Sequence, residues 1–388
     1  MEGRRLMPGR GKHQDQLDER LTGLLERAVD RRRHVRHGLL AVARVDGTWA
    51  WQGSHGVADA DGTPITTAAR YPIASVTKLF TAAVVLRLCE QGQLALADRL
   101  VGLLPPEVTR GLHVHDGVDR TDRITLEHLL GHTSGLADYY EEAPRGARSA
   151  QDRLLAGEDA PMPFDEVVRF VREELTPHFP PQPLDVPRPR ARYADTNYQL
   201  LGAVIEQVTG EPLHVVFDRM LFAPLGLDDT SSYPHVPRSG RSPDPGTSVW
   251  AKGVVLQPDG ALRHQVADGG IVSTLGDQVR FMVALVSGEV FADPTTWPRM
   301  QRRLARVFFP IDYGLGVMRY APPRWMSPAF AIPPLVGHTG STATWLFHGP
   351  QLGIVTAGTF DVAQPPLPFR FVPHVLRAVV ESPLAAEA

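Results

Sequence analysis

The spacing of apolar residues predicts helices at both ends of the chain and through its middle. Leucines at 17, 21, 24 and 25 give residues 14–31 one apolar face, which is typical of an amphipathic helix. Apolar residues recur at three- and four-residue intervals in seven further predicted helices, at 78–91, 124–130, 164–175, 197–209, 213–221, 276–286 and 371–381. Thr125 and Glu127 suit a helix start, and Gly210 suits a stop.

Short apolar runs predict strands near both ends of the chain. Residues 38–44 and 48–53 form a predicted hairpin with Asp46-Gly47 in its turn. Later strands are predicted at 250–263, 314–320, 342–347 and 353–359. Because strands cluster at the ends and helices fill the middle, we predict an α/β (α+β) fold with an antiparallel sheet flanked by helices.

This order of elements also predicts the domains. A discontinuous α/β domain is expected at 14–100 and 250–388, with a helical insert domain at 101–249 and an active site at their interface. Residues 1–13 are expected to be disordered. The six prolines within 176–192 predict an ordered extended loop, and the Pro, Ser and Arg content of 231–246 predicts a mobile surface loop.

Composition excludes several classes of protein. With 43% hydrophobic and 21% charged residues and a net charge of −3, the chain is an ordinary globular protein with no reason to bind nucleic acid. One cysteine, Cys89, excludes an intrachain disulfide and is expected to be a buried structural thiol. We find no apolar run long enough for a membrane span and no signal peptide, so we expect a cytoplasmic protein.

The strongest candidate chemistry lies at Ser75-Val-Thr-Lys78. Ser75 precedes a predicted helix, and a lysine three residues later lies on the same face, where its amine can reach the serine oxygen. Serine becomes a nucleophile when a nearby base takes its proton, and a lysine can be that base. The chain has only three lysines. The alternative is a helix-capping serine followed by a solvated lysine.

Two further segments complete a constellation, namely Tyr193-Ala-Asp195 and Gly337-His-Thr-Gly-Ser341, which is expected to open a late strand. With Ser75-Val-Thr-Lys78, they resemble the serine β-lactamase and penicillin-binding-protein superfamily, in the branch of class C β-lactamases, D-alanyl-D-alanine carboxypeptidases and family VIII esterases. Supporting phrases include residues 63–66, 124–136, 198–202 and 269–271. The resemblance covers residues 14–381 and implies a β-lactamase/transpeptidase-like fold with an all-helical insert.

The resemblance implies a role for each motif residue. Ser75 would form an acyl-enzyme, and Lys78 and Tyr193 would handle protons, with either as the base. The backbone N–H groups of Ser75 and Ser341 would form the oxyanion hole. Four further motif residues, Asp195, His338, Thr339 and Gly340, would bind substrate. Gly340 would let the substrate backbone lie against its strand. Neither a metal nor an organic cofactor is expected.

Two positions depart from the penicillin-directed pattern. Asp195 stands where this branch usually has Asn, and near Lys78 its carboxylate would hold the lysine charged. A tyrosine near cations has a depressed pKa, which makes Tyr193 the favoured base by hypothesis. His338 stands where many β-lactamases carry Lys, so a clamp for a substrate carboxylate is less assured. Both departures weaken an antibiotic-resistance interpretation.

Other polar and aromatic residues have structural and functional interpretations. A metal site at His113-Val-His115-Asp116 is disfavoured, because no third cluster accompanies it. Ser134 is expected to be a turn or cap residue. Trp345 is assigned to substrate binding, with a core position as the alternative. The aromatic pair Tyr139 and Tyr140 is placed at the cleft rim, where it could contact an acyl group.

The sequence therefore predicts a serine acyl-transfer enzyme whose partners are a small-molecule ester or amide and water or an amine. Water as acceptor gives an esterase or amidase. An amine acceptor gives a transacylase, such as one building an amide in natural-product (antibiotic) biosynthesis. A D-alanyl peptidase or β-lactamase is a further alternative. A non-catalytic binding protein of the same fold is disfavoured because Ser75, Lys78 and Tyr193 are all present.

Overall fold

The structure is a computed structural model that describes residues 12–59, 61–158, 161–183, 185–233, 237–240, 249–251, 254–256, 264–328 and 330–382. Its helices are α1 (Lys12–Asp30), α2 (Thr77–Glu90), α3 (Leu100–Leu103), α4 (Pro106–Thr109), α5 (Leu126–Leu130), α6 (Ala150–Leu155), α7 (Phe164–Glu174), α8 (Asp195–Thr209), α9 (Leu213–Phe217), α10 (Ala223–Leu225), α11 (Leu275–Ser287), α12 (Thr296–Met300) and α13 (Leu367–Val380). Its strands are β1 (His37–Arg44), β2 (Ala50–Gly56), β3 (Tyr71–Pro72), β4 (Val114–His115), β5 (Val118–Asp119), β6 (Ser231–Ser232), β7 (Val249–Ala251), β8 (Val254–Leu256), β9 (Ile271–Ser273), β10 (Ala305–Phe308), β11 (Ile311–Tyr313), β12 (Met318–Tyr320), β13 (Leu335–Thr339), β14 (Trp345–Gly349) and β15 (Ile354–Phe360).

Eight strands form one antiparallel sheet in the order β10-β11-β12-β13-β14-β15-β1-β2. The strand β1 joins the two ends of the chain, because Leu40 lies opposite Gly358 of β15 on one side and Gly53 of β2 on the other. The sheet is therefore assembled from both ends of the chain, and the hairpin predicted around Asp46-Gly47 is confirmed.

Alternation along β1 separates the two apolar layers that cover the sheet. Leu39 packs in a cluster with residues of α2, α5, α8 and α11, and Leu40 packs in a second cluster with residues of α1 and α13. A strand places successive side chains on opposite faces, so one strand serves both cores. The predicted antiparallel sheet flanked by helices is confirmed, and the α2 layer is the one that carries Ser75.

Helices are the main regular elements among the described residues between α3 and α10. The exception is the short β4–β5 hairpin, and a π-helical segment at Asp218–Phe222 joins α9 to α10. Thr125 caps α5 by accepting from the backbone N–H of His128, and Gly210 ends α8 in a left-handed conformation. Both signals were correctly placed by sequence, while the domain boundaries at 101 and 249 stay a prediction.

Several predicted elements differ from the observed ones. Ser231 and Ser232 form β6, which pairs with β9, so they are not part of a surface loop. The strand expected at 250–263 is found as the pair β7–β8, and the remaining residues of that range lie outside the described residues. The first 11 residues of the predicted disordered segment also lie outside them, and α1 begins at Lys12.

Other differences concern helix ends and burial. The last helix begins at Leu367, four residues before the predicted start, because prolines are tolerated in a first helical turn. Cys89 is only partly buried, although it packs against the α2-side core, and burial raises the pKa of its thiol to about 11. Within the described residues, every helix is too short or too polar to cross a membrane.

Candidate active site

Ser75 lies in a short turn that enters the first turn of α2. The turn is a 3-10 helix at Ala74–Val76, preceded by β3, whose Tyr71 pairs with Ser273 of β9. Ala74 has φ of 46°, a left-handed conformation that is costly for a residue with a side chain. The packing around β3 and α2 must hold this strained turn in place, which fixes the direction of Ser75.

Lys78 is fully buried one helical turn after Ser75. Its Nζ donates to Ser75 Oγ at 3.1 Å and to the backbone oxygen of Asp268 at 2.7 Å, and it forms an ion pair with Asp195. The contact with Ser75 is the one that the three-residue spacing predicts. The structure therefore brings Ser75 and Lys78 of the first motif into contact with Asp195 of the second.

The carboxylates determine the charge of Lys78. Burial works to lower the pKa of its amine, but the negative charges of Asp195 and Asp268 outweigh burial, and the pKa is raised. The expectation that a carboxylate at 195 holds the lysine charged agrees with this direction. Lys78 is thus an ammonium whose proton is shared with an adjacent carboxylate.

Asp268 is a site residue that the sequence motifs did not reveal. Its carboxylate accepts from Tyr139 Oη at 2.8 Å and from Gln199 Nε2 at 2.9 Å. Burial and the charge of Asp195 raise its pKa to about 7, although Lys78 acts in the opposite direction. The available signal was its position directly before the Gly269-Gly-Ile271 phrase.

Tyr193 is close to Ser75, but its expected phenolate character is wrong. Its hydroxyl hydrogen-bonds the Ser75 side chain, and Lys78 Nζ lies 5.1 Å from the centre of its ring. Burial and the charge of Asp195 nevertheless raise the pKa of Tyr193 well above its ordinary value. The aspartate that holds Lys78 charged also disfavours a tyrosinate, so Tyr193 is a neutral hydrogen-bonding group.

Buried aromatic and imidazole rings surround Tyr193. The ring of His132 lies 4.4 Å from that of Tyr193 and 4.5 Å from that of Tyr313, measured between centroids. His132 Nδ1 accepts from the backbone N–H of Ala194, and burial with nearby Lys78 lowers the pKa of His132 well below its ordinary value. We call His132, Tyr193, Tyr198, Tyr313 and His338 the neutral wall.

His338 belongs to this wall and does not line the cleft, so its assignment to substrate binding is corrected. Its Nδ1 donates to the backbone oxygen of Thr339 at 2.7 Å, which leaves Nε2 to accept from Tyr313 Oη at 3.0 Å. Burial and Lys78 lower its pKa to about 3, so the imidazole is neutral. A neutral, enclosed ring cannot clamp a carboxylate.

The turn between β13 and β14 faces Ser75 across the cleft. The motif at 337–341 closes β13, and Ser341 lies in the turn after it, so the expectation that this motif opens a strand is wrong. A Cβ on Gly340 would lie 2.2 Å from Thr344 Oγ1 and 2.7 Å from the backbone oxygen of Ile73. Glycine is needed here because the turn packs closely on the Ser75 segment. The contact of Gly340 with a substrate backbone stays a prediction.

These parts line a cleft of about 130 Å³. Its lining contains most of the predicted site residues together with several that were not predicted. They are Ala74, Ser75, Tyr140, Glu141, Tyr193, Asp195, Gln265, Asp268, Gly269, Phe308, Met318, Thr339, Gly340, Ser341 and Pro365. A second cavity of about 100 Å³ adjoins it, shares Tyr140 and Ser341, and adds the apolar side chains of Pro72, Leu154 and Leu155.

Three aromatic assignments have separate outcomes. Trp345 is wrong as a substrate contact, because it is fully buried on the opposite layer, packs near Phe360 and donates from Nε1 to Thr356. Tyr139 is buried beneath the cleft and donates to Asp268. Tyr140 lines both cavities, as expected for a residue near an acyl group.

The remaining candidates are structural. Ser134 is buried, donates to Asn197 Oδ1 at 2.7 Å and accepts from the backbone of Leu136, which confirms a turn residue. His113 Nε2 donates to the backbone oxygen of Phe179, and burial lowers the pKa of its ring. No group of three or more potential metal ligands is found among the described residues.

Comparison with known proteins relates the whole arrangement to one family. The family model described as Beta-lactamase matches residues 17–380. Among curated proteins, Esterase EstB of Burkholderia gladioli is 32% identical over 214 residues, covering 55% of this chain and 51% of that protein. The match therefore spans about half the length of this relative.

Solved structures extend the similarity over nearly the full chain. D-amino acid amidase from Ochrobactrum anthropi SV3 has a TM-score of 0.72 at 22% identity, covering 94% of this chain and 98% of its own. EstCE1, described as a hydrolase with promiscuous acyltransferase activity, has a TM-score of 0.73 at 21% identity, covering 95% and 100%. At these identities the likeness is one of fold.

Proposed function

The chain belongs to the beta-lactamase family of serine hydrolases, and we propose that it transfers acyl groups from a small-molecule ester or amide through an acyl-enzyme on Ser75. The observation that carries the proposal is the 3.1 Å hydrogen bond from Lys78 Nζ to Ser75 Oγ at the wall of the cleft. A nucleophile and its proton acceptor must lie within hydrogen-bond distance of each other, and here they do.

Lys78 is the proposed base, in a step that uses Asp195. The ammonium first passes one proton to the Asp195 carboxylate, with which it forms an ion pair. The resulting neutral amine takes the Ser75 proton while Oγ bonds to the substrate carbonyl carbon. Because the raised pKa of Tyr193 disfavours a phenolate, Tyr193 instead acts as a neutral phenol whose oxygen accepts a hydrogen bond from the Ser75 side chain.

The later steps also use backbone groups that line the cleft. The backbone N–H groups of Ser75 and Ser341 are the proposed donors to the oxyanion, since both residues line the cleft. When the carbonyl re-forms, the ammonium of Lys78 returns its proton to the departing oxygen or nitrogen. Water or an amine then attacks the acyl carbon and loses a proton to Lys78. The bond between that carbon and Ser75 Oγ breaks, Lys78 returns the proton to Oγ, and the acid or amide product leaves.

An ester or amide without a recognition carboxylate is the favoured donor. The names of EstB and the D-amino acid amidase support these two bond types. A penicillin-like donor is less favoured because His338 is neutral and enclosed by Tyr313 and Thr339. Transfer to an amine is the second candidate, supported by the description of EstCE1.

The test is intact-protein mass after brief incubation with 4-nitrophenyl esters of several acids, with the variant Ser75→Ala as control. We expect an adduct of the acyl mass on the native chain and none on the variant. An adduct on both proteins, or turnover that survives Ser75→Ala, would exclude the acyl-enzyme. Adding a panel of amines then separates hydrolysis from transfer by the ratio of products.

A further inference from the structure

We propose that the cleft selects acyl donors that carry an ammonium group near the reacting carbonyl, and that Glu141 is the residue that recognises this positive charge. The inference rests on the proposed function, because it names the substrate class of the Ser75 site. Such a site prefers a cationic donor, whereas a site that binds a substrate carboxylate prefers an anionic one.

The first observation is the position of Glu141. It lines the same cleft as Ser75, and its carboxylate is close enough to influence the ionisation of Tyr193. Its side chain is open to solvent, yet protein surrounds it sufficiently that burial and Asp195 raise its pKa. Within the described part of the chain, no hydrogen bond or ion pair involves this carboxylate. A ligand can therefore approach it.

The second observation is that both nearby cations are committed to other carboxylates. Lys78 pairs with Asp195. Arg192 pairs with Glu142 at 2.7 Å, and Glu142 also contacts His178. Neither cation neutralises Glu141 by direct contact.

The third observation is the overall charge of the cleft lining. Among the described residues that line it, Glu141, Asp195 and Asp268 are acidic, and none is Arg, Lys or His. Lys78 offsets one of these carboxylates from beneath the surface. A concave site with excess charge of one sign concentrates ligands of the other sign. An entering carboxylate would be repelled by Glu141, while an ammonium would gain an ion pair.

The adjoining cavity indicates what accompanies the ammonium. Tyr140, next to Glu141 in the chain, lines both spaces, and the second space has apolar walls that include Leu154 and Leu155. A donor whose ammonium contacts Glu141 can direct an apolar group into this cavity. The geometry thus fits an amino-acyl ester or amide with a free amino group and an apolar side chain.

The test compares two esters that differ by one ammonium group, 4-nitrophenyl phenylalaninate in its D and L forms and 4-nitrophenyl 3-phenylpropanoate, at about pH 6. We define the charge ratio as kcat/KM for the cationic ester divided by kcat/KM for the neutral one. The esters differ in intrinsic reactivity, but this difference cancels when the ratio is compared between variants. Glu141→Gln should lower the charge ratio about tenfold and leave the neutral ester within about twofold.

Two further variants complete the series. Glu141→Lys should lower the charge ratio below that of Glu141→Gln, because it replaces attraction with repulsion. Glu19→Gln, on an exposed face of α1, removes the same charge far from the cleft and should leave the ratio unchanged. The same ratio in all four proteins would overturn the inference while turnover dependent on Ser75 still supports the proposed function. Absence of turnover with either ester would count against both.

Discussion

The regions on the two sides of Ser75 are both buried, but their ionisable groups respond to burial in different ways. On one side, Lys78 is surrounded by carboxylates and stays charged through its ion pair with Asp195. On the other, the neutral wall contains titratable rings whose charged forms are all suppressed by burial. Burial penalises a charge unless a partner compensates it, so only the lysine side can store and move a proton near neutral pH.

The two sides therefore differ in the chemistry that they can contribute. In the proposed mechanism, the charged side supplies the proton acceptor through proton exchange between Lys78 and Asp195, which form an ion pair. The wall offers rigid hydrogen-bond donors and acceptors with fixed protonation, as the paired bonds of His338 to Tyr313 and Thr339 illustrate. Substitutions on the two sides should therefore differ in both the size of their effects and their dependence on pH.

The largest effect is expected for Lys78→Ala. Removing the proposed base should lower the acylation rate about a thousandfold or more, since general-base catalysis and the attached network act together. Single-turnover acylation by a 4-nitrophenyl ester measures it, with circular dichroism as a check on folding. Retention of more than a tenth of the native rate by a folded variant would remove Lys78 as the base.

The second effect concerns the free energy of unfolding and its dependence on the ionisation of Asp268, one of the carboxylates near Lys78. Burial and Asp195 raise the pKa of Asp268 from 3.8 to about 7, so native Asp268 favours folding when protonated and loses that contribution as pH rises from about 4 to 7. Asp268→Asn lacks this titration. The free energy of unfolding of the variant relative to the native chain should therefore increase by about 2–3 kcal/mol between pH 5 and pH 8.

Urea unfolding at both pH values measures this difference, and groups that titrate equally in both proteins cancel. The substitution also replaces one of the two oxygens that accept from Tyr139 and Gln199, which is expected to shift the stability of the variant at both pH values. The diagnostic quantity is the change with pH. Unfolding free energies that remain parallel from pH 5 to pH 8 would show that Asp268 ionises normally.

A smaller effect is expected for Tyr193→Phe, which preserves the ring and removes the hydroxyl. If Tyr193 is only a neutral hydrogen-bonding partner of Ser75 and Lys78 is the base, acylation should fall about tenfold. The same single-turnover assay ranks the two variants directly. A loss as large as that of Lys78→Ala would reverse the assignment and restore Tyr193 as the base.

The smallest effect is expected for His338→Asn. Because the pKa of His338 is lowered to about 3, its ring does not titrate between pH 5 and pH 8. The pH profile of kcat/KM in that range should keep its shape, and its height should change by about threefold at most. A limb of the native profile near pH 6.5 that vanishes in the variant would show that the histidine ionises in the working enzyme.

The sequence was informative where local spacing decides geometry. Ser75 and Lys78 are three residues apart on one helix start, so their contact follows from helical geometry. The hairpin around Asp46-Gly47 and the caps of α5 and α8 likewise depend on neighbouring residues. Such features need no knowledge of the rest of the chain.

Features that depend on long-range packing were not predictable in the same way. The charge of Tyr193 depends on Asp195 and on burial by His132 and Tyr313, and no local pattern measures burial. The alternating pattern around Trp345 is compatible with either face of a strand. In the folded sheet, Trp345 lies in the layer away from the cleft. Strands β10 and β11 were not predicted, because they are short and carry a charged cross-strand pair, Arg306 and Asp312.

The position of β1 between β15 and β2 has a consequence for when the protein becomes active. Ser75 and Lys78 are synthesised well before the turn that carries Ser341 and before β15, the strand that pairs with β1. Thr344 Oγ1 donates to the backbone oxygen of Ile73, which joins that later turn to the segment of the nucleophile. A nascent chain therefore carries its serine without an assembled site until β15 has been made.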